Sequence, residues 1–148
     1  MKGFTLVEIM LVVSLMVIVG TISVPVYQTV QLQNDLDLAI SSITQTLHRA
    51  QILSQGSDGD STWGARVSSG SVILFKGTTY ASRDPLYDEV FEISPNLVIS
   101  SSGFVSPTSP ELIFSKMLGE PTPYGTITLT TVSNQAKNIV INPKGMTE

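Results

Sequence analysis

The sequence predicts an α+β protein, in which a long N-terminal helix packs on a small antiparallel β-sheet head. Three observations predict it. The apolar residues crowd into one stretch ending at Pro25, apolar positions then recur at spacings of three and four up to Ala50, and beyond Gly56 the spacing falls to two between turns rich in Ser, Pro and Gly. The chain has 148 residues, the size of one ordinary domain. Hydrophobic residues make 42% and charged residues 14%, against a usual charged share of about a quarter. The mean hydropathy is +0.26. Such a composition argues against a disordered chain, which needs low hydrophobicity and high charge. The formal net charge of -4 disfavours a strongly basic nucleic-acid binder. With no cysteine, a disulfide framework, a zinc ribbon, an iron–sulfur cluster and a cysteine nucleophile are all excluded. The single histidine, His48, leaves little room for a Ser/His/Asp triad or a multi-histidine metal site. No catalytic residue, cofactor or metal is expected, and the chain is not read as an enzyme.

The first element is the apolar helix. After Glu8 there is no charge until Asp35. A bilayer core about 30 Å thick takes roughly 20 apolar residues as a helix, and Leu6 to Val24 meets that length. Pro25 removes a backbone donor and predicts a kink. A secretory signal peptide is the competing reading, but the basic region is only Lys2 and the amine, no Ala-x-Ala site follows, and a carboxylate sits within the apolar run. The positive-inside tendency places the N-terminus in the cytoplasm and the rest across the membrane. Glu8 is the informative residue, because a carboxylate at the centre of a span costs roughly 2.5–3.5 kcal/mol by insertion scales. On the residues alone two readings stand: a charge kept because it has a partner, or one that reaches water from the headgroup boundary.

The second element is an amphipathic continuation. Leu32, Leu36, Ile40, Ile43, Leu47 and Ala50 fall on one face, with Asp37, Ser41, Thr44, His48 and Gln51 between them. Gly56 marks its end. A helix from Phe4 to Ser54 is roughly 75 Å long at 1.5 Å per residue. The organisation expected is therefore a transmembrane helix over 4–27, an amphipathic helix over 28–55 that packs on the head, and a β-rich head over 56–148.

Within the head, Thr62–Val67 and Ser71–Lys76 read as a hairpin across Ser68-Ser69-Gly70. Asp88–Ile93, Leu97–Ile99, Leu112–Phe114, Ile127–Thr130 and Asn138–Asn142 read as further strands. The strict alternation from Thr126 to Thr131 predicts one buried face. Other constellations have plain readings. Asp58-Gly59-Asp60 reads as a solvated turn before a calcium loop, since the remaining ligands are missing. Arg83-Asp84 with Asp88-Glu89 reads as a surface turn around Pro85 carrying an ion pair. Trp63 reads as core and His48 as a residue of the polar helix face.

Gly3-Phe4-Thr5-Leu6-Val7-Glu8 ahead of an apolar run resembles the N-terminus of type IV pilins and type II secretion pseudopilins. The resemblance implies a leader over 1–3, cleavage by prepilin peptidase between Gly3 and Phe4, and N-methylation of Phe4. Glu8 matches the family's glutamate at the fifth mature position, and Pro25 matches a recurrent proline of its helix. The leader here, Met1-Lys2-Gly3, is shorter than is usual in that family. In the head, Trp63-Gly64-Ala65-Arg66-Val67, Ile73-Leu74-Phe75-Lys76-Gly77, Tyr80-Ala81-Ser82-Arg83-Asp84 and the late Asn138-Ile139-Val140-Ile141-Asn142-Pro143-Lys144-Gly145 are similar to GspH/FimT-like minor subunits. The resemblance implies a pilin-like fold and a structural minor subunit that sits single-pass in the inner membrane with its head in the periplasm or outside the cell. Its partners would be other pilin or pseudopilin subunits, joined through Glu8, and its fibre a secretion pseudopilus or a type IV pilus. The alternative is a tip subunit that captures DNA. Lys137 and Lys144 are a thin basic feature, and they give DNA little support as a partner.

Overall fold

The computed structural model describes residues 3–145, with the backbone alone described for residues 22–26. Helix α1 (Leu6–Gln55) runs for 50 residues, about 75 Å at the usual rise. Its end is the expected one: the Gly56 N–H closes the last turn on the Ile52 carbonyl at 2.9 Å. Eight strands follow among the described residues: β1 (Trp63–Ser68), β2 (Ser71–Lys76), β3 (Asp84–Glu92), β4 (Val98–Ser102), β5 (Glu111–Phe114), β6 (Pro121–Thr122), β7 (Gly125–Thr130) and β8 (Ala136–Ile141). The chain is α+β, with antiparallel pairing throughout these strands.

The head expected as one small sheet holds two. One has the order β3-β2-β1-β5-β6 and the other β4-β7-β8. The cause is a long-range pairing. β5 returns to lie beside β1, with Ala65 opposite Leu112, so β4 is left to pair with β7, Ile99 opposite Leu129. The β1–β2 hairpin forms with Ser68 opposite Ser71, and Gly70 takes the left-handed conformation its turn needs (φ +83°).

The two inner faces and the helix stripe make one core. β1 contributes Trp63, Ala65 and Val67, β2 Val72 and Leu74, and β5 Leu112 and Phe114. From the second sheet come Ile99, Ile127, Leu129, Ile139 and Ile141. Leu36, Ala39, Ile43, Leu47 and Ala50 of α1 close over both. The period-two reading of β7 holds, with Ile127 and Leu129 fully buried between half-buried threonines. Trp63 is core, its indole N–H donating to the Asp58 carbonyl at 3.0 Å.

The surface turn expected around Pro85 is instead the start of β3, preceded by a single 3-10 turn at Tyr80–Ser82. β3 is the edge of its sheet, where a proline's missing N–H leaves no ladder bond unmade. Its pairing skips from Leu74–Glu89 to Lys76–Asp84, so residues 85–88 bulge outward. The ion pair expected there is present, Arg83 Nε to Asp88 Oδ2 at 2.7 Å.

The last turns of α1 are stitched to the head. Ser54 is fully buried; its Oγ accepts the Trp63 N–H at 2.9 Å and its hydroxyl donates to the Trp63 carbonyl at 3.3 Å. The Ser54 carbonyl accepts the Met117 N–H at 2.9 Å. The Gln51 side-chain amide donates to the Gly119 carbonyl at 3.0 Å and the Lys144 carbonyl at 3.1 Å. Arg49 pairs with Glu89 of β3 at 2.7 Å, and Asp37 with Lys137 of β8, so each sheet is tied to the helix by a charge.

Candidate assembly site

Thr5 begins the helix as its N-cap, in extended conformation (φ -81°, ψ 153°). Its Oγ1 accepts the Glu8 N–H at 3.3 Å, and its carbonyl accepts the Ile9 N–H at 3.3 Å. The spacing is that of a capping box, Thr-x-x-Glu, with the acid in the positive first turn of the helix dipole. This role of Thr5 was legible in Thr5-Leu6-Val7-Glu8 and is missing from the reading of the sequence. It gives Glu8 a local task, closing the first turn, in addition to whatever its carboxylate meets. The Leu6 and Val7 N–H groups have no carbonyl of their own helix to bond.

Gly3 and Phe4 precede the cap and are not helical. A Cβ built on Gly3 meets nothing within 4 Å, and Phe4 is 80% exposed. The Gly3–Phe4 bond thus lies on open, non-helical chain. Phe4, Glu8, Ile9, Val12 and Val13 share one strip of the helix surface, and no described side chain pairs with the Glu8 carboxylate. From Leu6 to Val19, twelve large apolar side chains are 43% to 74% exposed. The hydroxyls among them are turned inward on the backbone: Ser14 donates to the Met10 carbonyl at 2.7 Å and Thr21 to the Ile18 carbonyl at 2.9 Å. Glu8 is therefore the only strongly polar side chain that the described part of this surface offers.

Among the described residues no helix is long and apolar enough to cross a membrane. Side chains of α1 are described up to Thr21 and again from Tyr27, and the apolar ones that would complete the length fall in residues 22–26. The kink expected at Pro25 lies there too, and Met1, Lys2 and residues 146–148 also lie outside the described residues.

The remaining charged features serve the head. Asp60 of the 3-10 turn Asp58–Asp60 bonds Lys116, which holds its carboxyl below the ordinary value through that hydrogen bond first and its charge second. Arg83 is held further into its charged form, chiefly by the hydrogen bond to Asp88. Lys137 of the thin basic feature is bonded to Asp37. His48 is exposed on the polar helix face. No group of three or more metal-ligating side chains is found among the described residues. No protein-family model, curated protein or solved structure matches the chain.

Proposed function

We propose that the chain is a structural subunit of the pilin or pseudopilin kind. It is held in the inner membrane by the apolar half of α1, cut after Gly3 by prepilin peptidase, and built by that helix into a fibre with other such subunits. The observation that carries this reading is the exposed apolar surface from Phe4 to Thr21, with Glu8 as its one charge. Burying an aliphatic side chain is worth roughly 1.5–3 kcal/mol. Half of that for each of twelve side chains is of order 10 kcal/mol, comparable to the net stability of a whole domain, about 5–15 kcal/mol. A surface of that size takes lipid or protein as its solvent.

The geometry of the first turn supports the rest of the reading. Cleavage before Phe4 puts an ammonium next to a helix start that is already positive and has two free N–H groups. An ammonium there is unfavourable unless a carboxylate faces it. The Glu8 of a neighbouring subunit supplies one, and each charge then leaves water neutralised by the other. Breaking such a pair by removing one partner costs about 3–5 kcal/mol, which enforces a single register between subunits. On this reading the arrangement is pilin-like: the first half of the helix belongs to the assembly and the second half to the head.

The test combines mass spectrometry of the N-terminus with fibre incorporation of Glu8→Gln. The expected result is an N-methylated chain beginning at Phe4, and a variant that is inserted and cut yet left in the membrane fraction. An intact Met1-Lys2-Gly3 on a fully incorporated variant overturns the reading.

A further inference from the structure

We propose that the outer face of the β3-β2-β1-β5-β6 sheet carries a carboxylate-binding cleft, in which Arg66 receives a carboxylate borne by an extended peptide. The inference goes beyond the helix and its assembly, and involves none of the residues named for it.

The cleft measures about 360 Å³ and is lined by Arg66, Thr79, Val105, Ser109, Glu111 and Ile113 among others, within the range of small-ligand sites. The chain has three arginines. Arg49 and Arg83 are each bonded to a carboxylate, at 2.7 Å in both cases. Arg66 is not; its Nε donates to the Ser109 hydroxyl at 2.9 Å, and among the described residues its terminal nitrogens meet no acid. It is the direct cross-strand partner of Glu111, yet the Glu111 carboxylate is committed elsewhere, accepting the Tyr80 N–H at 2.6 Å.

Arg66 is also held in place before any ligand arrives. Its guanidinium carbon lies 4.3 Å from the centroid of the Tyr80 ring. That ring meets Phe75 edge-on at 5.5 Å and carries Arg83 at 3.8 Å. Arg83 is fixed in turn by Asp88 and by the Tyr80 carbonyl at 2.8 Å. The base of the stack depends on Gly64. A Cβ there would stand 2.5 Å from the Phe75 ring and 2.6 Å from the Leu112 carbonyl, so only glycine leaves the Phe75 ring its place against the Tyr80 ring. A planar, pre-ordered guanidinium with its outer nitrogens free suits bidentate binding of a carboxylate.

The neighbours decide between anions. Glu111 offsets the charge of Arg66, which disfavours a dianionic phosphate or a nucleic acid backbone. The same carboxylate has a second oxygen to accept an N–H, and a peptide brings N–H donors beside its carboxylate. Ile113 and Val105, the latter wholly exposed at the rim, supply an apolar wall for an adjoining side chain.

The experiment follows the Arg66 Nε–H resonance of the isotope-labelled full chain in detergent micelles. Four probes are titrated: acetyl-Ala-Val-Val with a free C-terminus, its C-terminal amide, acetyl-Ala-Asp-Val amide, and inorganic phosphate. Saturable shifts with one or both carboxylate peptides, at half-saturation of about 1 mM, and none with the simple amide are expected; which of the two is stronger identifies the source of the carboxylate. Arg66→Lys, which keeps the charge and loses the fork, weakens the Ser109 amide shift about fivefold or more. An equal response to acid and amide, tighter saturation by phosphate, an unchanged Arg66→Lys, or no shift with any probe overturns the proposal.

Discussion

The two halves of α1 are one continuous helix with opposite fates. From Leu36 to Ala50 its apolar side chains are 0% to 3% exposed at five positions, because two sheets close over them. From Leu6 to Val19 its apolar side chains face outward all round. The hydroxyls follow the same division. Ser54 spends its hydroxyl on Trp63 of β1, whereas Ser14 returns its own to Met10 of the same helix. The difference teaches where each half finds its partners. One half is completed within the chain; the other turns its Ser14 and Thr21 hydroxyls onto its own backbone and leaves Glu8 as its one charged side chain, as suits a segment bound for apolar surroundings.

The comparison breaks most readily in the core. Ile43→Ala leaves a cavity against both sheets and is expected to destabilise the head by about 2–5 kcal/mol, while Leu11→Ala changes head stability by less than about 0.5 kcal/mol. Urea unfolding of the full chain in detergent, followed by Trp63 fluorescence, checks both; equal effects would dissolve the division. The serines sharpen it at a smaller scale. Ser54→Ala strands the Trp63 N–H in the interior and costs about 1–3 kcal/mol, whereas Ser14→Ala is expected within about 0.5 kcal/mol of neutral, by the same measurement. The smallest effect lies just past the helix end. Asp60 has a depressed carboxyl pKa, so the tie to Lys116 is present above the ordinary carboxylate value and is lost as pH falls through the depressed one. A carboxyl-carbon NMR titration should place the Asp60 midpoint below 3.8, and Lys116→Met should return it upward.

What the sequence made legible was local. The α1 stripe, its stop at Gly56, the Ser69-Gly70 hairpin and the alternation of β7 each depend on residues within one or two turns of each other. The division into two sheets depends on β5 finding β1 from far along the chain, and no local spacing records that. Asp84-Pro85-Leu86-Tyr87 reads as a turn because proline does; only its place at a sheet edge makes it strand. β6 is two residues long and too short to show a period. At the N-terminus the motif residues could be named, but the cap of Thr5 on Glu8 was overlooked although its spacing was visible. The stack that fixes Arg66 joins Gly64, Phe75, Tyr80 and Arg83 from four places, and only the fold assembles it.

The stitching of Gln51 and Ser54 to Trp63, Met117, Gly119 and the Lys144 carbonyl has a mechanical consequence. Bonds to three separate segments of the head allow neither swivel nor slip about the helix axis. A pull or twist that reaches the last turns of α1 is therefore passed directly to the head at three places. The joint between helix and head is a clamp, and whatever turns the end of the helix turns both sheets.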